Sequence, residues 1–181
     1  LETAKAVIAA AEELKAPIII DLLEEHLHMH LGYEYLTWPI RRMAENASVE
    51  VAINLDHGQQ VPYVKQCLRE GFSSVMMDAS MYELDENIRI TKEIVCFAEA
   101  YAASVEAEVG NMGAVSGNNW TSHQMFTDAE EAIRFIHETG VDCLAISYGS
   151  THGDYPEDYI PQFDFDIVKK IKQATNLPLV L

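Results

Sequence analysis

The chain has 181 residues, of which 49% are hydrophobic and 23% are charged, and these proportions exclude a disordered chain. It carries 12 Lys and Arg against 29 Asp and Glu, a net charge of −17 at pH 7. Such an acidic surface repels nucleic-acid phosphates and anionic lipids, so we expect no nucleic-acid partner and no membrane partner. The three cysteines lie far apart in the sequence, which favours a reducing, cytoplasmic compartment.

Short apolar segments alternate with longer helical stretches along the whole chain. The spacing of the segments, about 30 residues, is typical of repeated βα units. They are apolar almost throughout, as parallel strands covered on both faces are. Such units form either an open sheet or a barrel, and no GxGxxG or P-loop motif favours a nucleotide-binding open sheet. The predicted strands are residues 17–22, 49–55, 73–78, 103–109, 142–148 and 177–181.

The helices between these strands have recognisable ends. Pro62 and Gly71 predict a helix over residues 61–70, because proline suits a first helical turn and glycine suits the position after the last turn. A helical stripe of apolar residues predicts a second helix over residues 84–101.

A third helix is predicted between the fourth and fifth strands. Thr127 followed by Glu130 indicates a capping box at its start, and Gly140 indicates its end. The stretch before it, residues 110–126, is rich in Gly and Asn and has no clear periodicity. Connections of this length are usually functional or disordered.

Residues suited to catalysis follow the predicted strands at their carboxyl ends. Because the carboxyl ends of parallel strands meet at one rim, these residues are expected to gather there, as in the active sites of α/β barrels. Charge at such a place is costly unless it is paired or coordinates a metal. Imidazole and carboxylate together suit a divalent cation such as zinc. The residues are Asp56, His57, Asp78, Glu106, Glu108 and His152.

Simpler interpretations of single residues remain open at this point. Asp78 is as well explained as the N-cap of the next helix. Three further histidines, His26, His28 and His30, are spaced by two residues and follow two glutamates. We interpret that group as a solvated cluster in preference to a metal site.

Five motifs, taken together, resemble the zinc-dependent class II ketose-bisphosphate aldolases, the family that includes fructose- and tagatose-bisphosphate aldolases. The resemblance runs over nearly the whole chain in the order of the family. It implies a TIM barrel, here a single partial domain over residues 1–181 that lacks the first strand and the last strand with its helix. The motifs are residues 55–58 (LDHG), 71–80 (GFSSVMMDAS), 86–88 (ENI), 104–110 (SVEAEVG) and 149–153 (GSTHG).

The resemblance implies a metal site. His57 and His152 match two of the three zinc-binding histidines, and the third is expected beyond Leu181. Glu108 matches a carboxylate that holds zinc in an alternative position. Asp78 matches a carboxylate near the metal, at a second cation site or supporting the first. The implied cofactor is Zn²⁺, with a second divalent or monovalent cation as an addition.

The resemblance also implies roles in catalysis. Asp56 matches the acid that exchanges a proton with the substrate oxygen at the bond that is made or broken. Gly153 matches a backbone contact to the substrate phosphate, and Glu106 matches a second carboxylate near the metal. The implied reaction is reversible aldol cleavage of a phosphorylated ketose, of the fructose 1,6-bisphosphate type, to dihydroxyacetone phosphate and an aldehyde. Family members are commonly homodimers or homotetramers.

Two departures from the family pattern fall on the substrate side. Ser116 stands where the mobile loop of the family carries a proton-transferring glutamate, and His123 on the same stretch is a candidate replacement. Leu23 stands where the family often has a serine that contacts substrate. Two alternatives therefore remain: a member that acts on another sugar phosphate, and a catalytically silent metal-binding barrel subunit.

Overall fold

The computed structural model describes residues 1–110, 126–150, 157 and 160–181. Within these residues, helices and strands alternate along the chain, and all six predicted strands are confirmed. The strands are β1 (Ile18–Leu23), β2 (Val51–Gly58), β3 (Ser74–Met77), β4 (Ser104–Val109), β5 (Cys143–Ile146) and β6 (Leu179–Val180). The helices are α1 (Glu2–Leu14), α2 (Glu24–Met29), α3 (Tyr33–Asn46), α4 (Val61–Glu70), α5 (Leu84–Ala98), α6 (Ala129–Thr139) and α7 (Phe165–Thr175), with a 3₁₀ turn at Glu99–Tyr101.

The chain forms two compact units, and the first contains Leu1–Met77 and Ile94–Val105. In this unit β1 pairs with β2 and β2 pairs with β3, both in parallel. The amide of Ser104, at the start of β4, donates to the carbonyl of Ser73 at 3.1 Å. Branched and straight apolar side chains fill the space between strands and helices. The fully buried ones include Leu55, Val64, Leu68, Val75, Met77, Ile94 and Val105.

The second unit contains Asp78–Glu93 and Glu106–Leu181. Here β4 pairs with β5 and β5 pairs with β6, again in parallel, with Glu106 opposite Cys143. On the outside, the Lys170 ammonium lies 2.7 Å from the Glu130 carboxylate and joins α7 to α6. The buried core of this unit includes Ala107, Phe135, Leu144, Ile146 and Ile171.

Side chains alternate between the two faces of each strand, and this alternation separates the core from the polar residues. On β2, Ile53 and Leu55 are buried in the core, while Asn54 and Asp56 lie on the opposite face. In the first unit, the β1–β2 ladder sets Leu23 directly opposite Asp56. The same alternation on β4 puts Glu106 and Glu108 together on the face that does not carry Val105, Ala107 and Val109. Within each of these two strands, the predicted acids therefore lie on the face that does not carry the core residues.

The predicted ends of α4 and α6 are confirmed in part. Pro62 stands in the first turn of α4, and Gly71 and Gly140 follow the last residues of α4 and α6. The start of α6 was predicted incorrectly. Its N-cap is Asp128, whose carboxylate accepts hydrogen bonds from the amides of Glu130 and Glu131 at 2.8 and 3.1 Å.

Thr127 does not cap α6 because its hydroxyl is used inside the second unit. The hydroxyl donates to the carbonyl of Val109 at 2.7 Å and accepts from the amide of Ser147 at 2.8 Å. Thr127 as a whole residue has a relative exposure of 2%. A buried backbone carbonyl and amide must each find a partner, so this threonine is committed to joining the ends of β4 and β5.

In the described part of the chain, no helix is long and apolar enough to span a bilayer.

Candidate active site

The segment Asp56–His57–Gly58 ends β2 with a bulge. In the ladder to β3, Leu55 faces Val75 and Gly58 faces Met77, so β2 advances three residues while β3 advances two. A bulge of this kind turns the extra residue out of the regular alternation and re-aims its side chain. It falls at the segment predicted to carry the proton-transferring acid and a metal ligand.

His57 has a left-handed backbone, with φ at 47°. Among the described residues three other non-glycine residues have positive φ, namely Lys15, Ala102 and Asn176, and each directly follows a helix, where this conformation is ordinary. His57 instead lies inside a strand. A residue held in this way costs about 1–3 kcal/mol and persists only where its surroundings fix it, and such residues cluster at functional sites.

The side chains of Asp56 and His57 are accessible but not fully exposed, with relative exposures of 35% and 27%. The Asp56 Oδ1 atom lies 4.0 Å from the His57 Nε2 atom. Both groups can therefore reach a small molecule at the carboxyl end of β2, and a carboxylate placed there can take up or release a proton.

In the second unit, Asp78 and Glu108 bring two carboxylates together. An oxygen of one lies within 4.8 Å of an oxygen of the other, and Glu108 is buried. Two carboxylates at this separation repel each other when both are ionised, and a shared cation or proton removes that repulsion. The sequence predicted that both residues lie near a metal site, and their proximity to each other comes from the structure.

The local contacts of Asp78 exclude the N-cap alternative. Its Oδ1 atom accepts hydrogen bonds from the amide and the hydroxyl of Ser80, at 3.1 and 2.7 Å, which form an Asx turn. The next helix, α5, begins only at Leu84. Asp78 therefore shapes the turn after β3 and does not cap the following helix.

Glu106 lies beside a half-buried thiol, that of Cys143. Partial burial is the largest cause that raises the pKa of Cys143 to about 12, and the carboxylates of Glu106 and Asp142 contribute to the same rise because they disfavour the thiolate. The sequence did not indicate that Glu106 and Cys143 are neighbours.

Four residues of the sequence argument lie outside the described residues. They are Ser116, His123, His152 and Gly153, and the roles predicted for them stay predictions.

The three closely spaced histidines lie on α2 and at its end, and all are exposed. The His28 Nε2 atom lies 3.3 Å from the Oε1 atom of Glu24, and the rings of His26 and His30 have their centres 6.1 Å apart. This exposure agrees with the interpretation of a solvated cluster. The sequence indicated no role for Glu24. The structure shows that this acid is buried beside the ends of β1 and β2, and only its tertiary contacts reveal this.

A sequence model described as Fructose-bisphosphate aldolase class-II matches residues 1–181, the whole chain. The chain belongs to the class II fructose-bisphosphate aldolase family. Among curated relatives of this family, it is 38% identical to the fructose-bisphosphate aldolase of Geobacillus stearothermophilus, with all of the chain matched to 63% of that protein. It is 37% identical to the 6-phospho-5-dehydro-2-deoxy-D-gluconate aldolase of Shouchella clausii, again over all of the chain and 61% of that protein.

A solved aldolase structure shares the fold. The crystal structure of the YdjI aldolase from Escherichia coli K12 matches all of the chain and 62% of its own length, with a TM-score of 0.84 and 33% identity. This confirms the predicted fold class, an incomplete TIM barrel. The chain spans about three fifths of the length of the aldolases it matches.

The candidate donors fit a divalent cation. Imidazole nitrogen and carboxylate oxygen are the ligands that zinc takes in catalytic sites, alongside a position left open for substrate. The structural observation that supports the fit is the Asp78–Glu108 pair, because a buried carboxylate beside a second one is stabilised by a bound cation.

Proposed function

We propose that the protein is a metal-dependent class II aldolase that reversibly cleaves a phosphorylated ketose to dihydroxyacetone phosphate and an aldehyde. The observation that carries the proposal is the left-handed His57 in the bulge of β2, directly after Asp56, within the motif that identifies the family. A fold that maintains such backbone strain at its motif residues retains a use for them.

His57, His152 and Glu108 are the proposed ligands of Zn²⁺, with a further histidine beyond Leu181, and Asp78 is proposed to hold a second cation or to support the first site. When bound, the cation supplies a Lewis acid that stabilises the negative charge that develops on the carbonyl side of the breaking bond. A second divalent or monovalent cation can use the carboxylates. Glu106, on the same face of β4 as Glu108, is proposed to support this set.

Asp56 is the proposed proton-transfer group. In cleavage its carboxylate accepts the proton of the hydroxyl on the carbon that becomes the aldehyde. As that oxygen forms its double bond to carbon, the C–C bond breaks and its electron pair passes to the fragment that carries the carbonyl. In condensation Asp56 returns the proton to the new hydroxyl. Its partial exposure at the end of β2 suits a group that must meet substrate.

In the fragment that carries the carbonyl, the carbon at the broken bond must also receive a proton. The glutamate that the family uses for this step is replaced here by Ser116. We propose His123, on the same stretch of chain, as the candidate donor. Gly153 is proposed to bind the substrate phosphate through its backbone amide, since backbone N–H groups are common phosphate donors.

A different phosphorylated substrate is the second candidate function, and one structural observation favours it. Leu23 lies directly opposite Asp56 in the β1–β2 ladder, so an apolar side chain stands beside the proposed catalytic acid where the family often has a serine. Relatives of almost equal identity are named for different substrates, fructose bisphosphate in one and 6-phospho-5-dehydro-2-deoxy-D-gluconate in another.

The further properties that we propose follow the family. They are a cytoplasmic location, a homodimer or homotetramer, a single barrel domain that includes residues 1–181, and no nucleic-acid or membrane partner. A third possibility, a silent metal-binding subunit, is an outcome of the assay described next.

The assay compares cleavage of fructose 1,6-bisphosphate, tagatose 1,6-bisphosphate and 6-phospho-5-dehydro-2-deoxy-D-gluconate by the whole protein, before and after EDTA and after zinc is added back. We expect cleavage of at least one of them, loss with EDTA and recovery with zinc. Cleavage that survives complete removal of metal would contradict the proposal. Bound zinc without cleavage of any of the three would favour the silent subunit.

A further inference from the structure

The segment that follows His57 is held by a buried carboxylate from another element. Glu24, the first residue of α2, has a relative exposure of 6%, although it is an acid. Its Oε2 atom accepts a hydrogen bond from the backbone amide of Gln59 at 2.8 Å. Gln59 is the first residue after β2, two positions beyond His57.

The ladder of the first unit places Glu24 at this point. Leu23 faces Asp56, and α2 begins directly after Leu23, so the chain turns into a helix beside the end of β2. The Glu24 carboxylate does not cap its own helix, since the N-cap is Leu23 and no side-chain cap bond is formed. It is used instead between two elements that are 35 residues apart in sequence.

The second oxygen of Glu24 has its own neighbour. The Oε1 atom lies 3.3 Å from the Nε2 atom of His28, one turn along α2. The ring of His28 packs against the ring of Tyr63 with centres 4.6 Å apart, and Tyr63 meets Tyr33 edge-on at 5.1 Å. Both oxygens of the carboxylate are therefore placed by contacts, so Glu24 is a fixed acceptor for the amide after the bulge.

We propose that Glu24 is a positioning residue for the metal site: by holding the amide of Gln59 it keeps His57 in its left-handed conformation. The inference rests on the proposed function, in which His57 is a metal ligand. Burial of a carboxylate is costly, and the charge-assisted hydrogen bond to a backbone amide offsets that cost. The gain is a metal ligand whose direction is set before the metal arrives, and loss of such support typically weakens metal affinity by about 10- to 100-fold.

Zinc affinity of the metal-free protein tests this without any sugar substrate. The variants are Glu24→Ala, Glu24→Gln and the matched control Glu25→Ala, which removes the same charge from the next, exposed position of the same helix. Affinity is measured by competition with a chromophoric chelator. We expect Glu24→Ala to lose about tenfold or more. Glu24→Gln keeps an acceptor oxygen and should recover most of that loss, and Glu25→Ala should match the wild type.

Hydrogen exchange of the Gln59 amide, followed by NMR without metal, is the second measurement. We expect slow exchange in the wild type, in Glu24→Gln and in Glu25→Ala, and faster exchange in Glu24→Ala. A general loss of folding would speed exchange throughout β2 and α4, whereas loss of this contact speeds it at Gln59 and its neighbours.

The two proposals fail in different ways. If the wild type binds zinc and Glu24→Ala binds it equally well, the positioning role is overturned and the proposed function stands. Fast exchange at Gln59 in the wild type overturns the positioning role as well. If the wild type binds no zinc, the proposed function is overturned, and the positioning role with it.

Discussion

The side-chain amide of Asn87 donates a hydrogen bond of 2.8 Å to the backbone carbonyl of Glu108. Asn87 is 2% exposed on α5, and the hydroxyl of Thr91 donates to its amide oxygen at 3.1 Å. A buried helix residue thus fixes the strand position from which the proposed ligand Glu108 projects. This explains structurally why residues 86–88 belong with the other motifs.

Replacement of Asn87 should therefore affect both stability and metal binding. Asn87→Ala leaves the buried carbonyl of Glu108 without this donor, and we expect the free energy of unfolding to fall by about 1–3 kcal/mol. Zinc affinity should fall as well. Urea denaturation and chelator competition measure the two effects. Thr91→Val, which removes only the bond to Asn87, is the milder control, and a wild-type affinity in Asn87→Ala would show that Glu108 needs no such support.

Asp56 and His57 are adjacent but should respond differently to mutation. Asp56→Ala should keep zinc and lose aldol cleavage, because it removes a proton-transfer group and no proposed ligand. His57→Ala should lose both zinc and cleavage. Metal content after gel filtration and steady-state cleavage rates separate the two cases. Normal turnover by Asp56→Ala would mean that another group transfers the proton.

The three cysteines should react with thiol reagents at very different rates. Cys96 is exposed, whereas full burial of Cys67 and partial burial of Cys143, together with neighbouring carboxylates, raise the pKa of each of these two thiols to about 12. At pH 8 only about one in ten thousand molecules of such a thiol is ionised, and the thiolate is the reactive form. We expect one fast equivalent with a disulfide reagent in the native protein and three after denaturation.

Two variants check the assignment of the thiols. Cys96→Ser should abolish the fast phase and leave the slow ones. Glu106→Gln should lower the pKa of Cys143, since it removes a negative charge that opposes the thiolate, and the slow reaction of Cys143 should then begin at a lower pH. A fast phase that persists in Cys96→Ser would contradict the raised pKa values of Cys67 and Cys143.

Two glycines with positive φ should differ in their tolerance of alanine. At Gly140, with φ at 73°, no described atom lies within 4 Å of an added Cβ, so Gly140→Ala should cost only the backbone term, about 1–2 kcal/mol. At Gly149, with φ at 110°, a Cβ would meet the backbone carbonyl oxygen of Gln162. Gly149→Ala should therefore cost about 1–3 kcal/mol more. Thermal unfolding of the pair measures the difference, and equal losses would contradict this close approach.

Thr127 should matter more to stability than the residue that caps α6. Thr127→Val keeps the shape but leaves the carbonyl of Val109 and the amide of Ser147 without their partner, at about 1–3 kcal/mol for each buried group. Asp128→Ala removes an exposed N-cap and should cost about 1 kcal/mol. The opposite order in urea denaturation would contradict the proposed importance of the Thr127 hydroxyl between the ends of β4 and β5.

Much of the architecture could be predicted from the sequence. The apolar segments and their spacing indicated all six strands, since a strand buried on both faces must be apolar along its length. Pro62 and Gly71 marked the ends of α4, because their backbone preferences are local. Asp56 and Glu108 could be predicted as site residues because an acid that follows or interrupts an apolar segment can be recognised in the sequence itself.

Other features were decided by tertiary structure alone. Thr127 looked like a cap, and only the meeting of β4 with β5 showed that its hydroxyl is needed elsewhere. Asp78 had two equal interpretations until the turn to Ser80 was seen.

The amino-acid sequence by itself determined which residues form strands and which chemical groups follow them. Periodicity and local backbone preference act over a few neighbouring residues, so both can be read without the tertiary structure. The left-handed backbone of His57 and the amide held by Glu24 were determined only by the folded chain. A hydrogen bond between residues 35 positions apart leaves no local pattern, and backbone strain at one residue persists only when such distant contacts fix it.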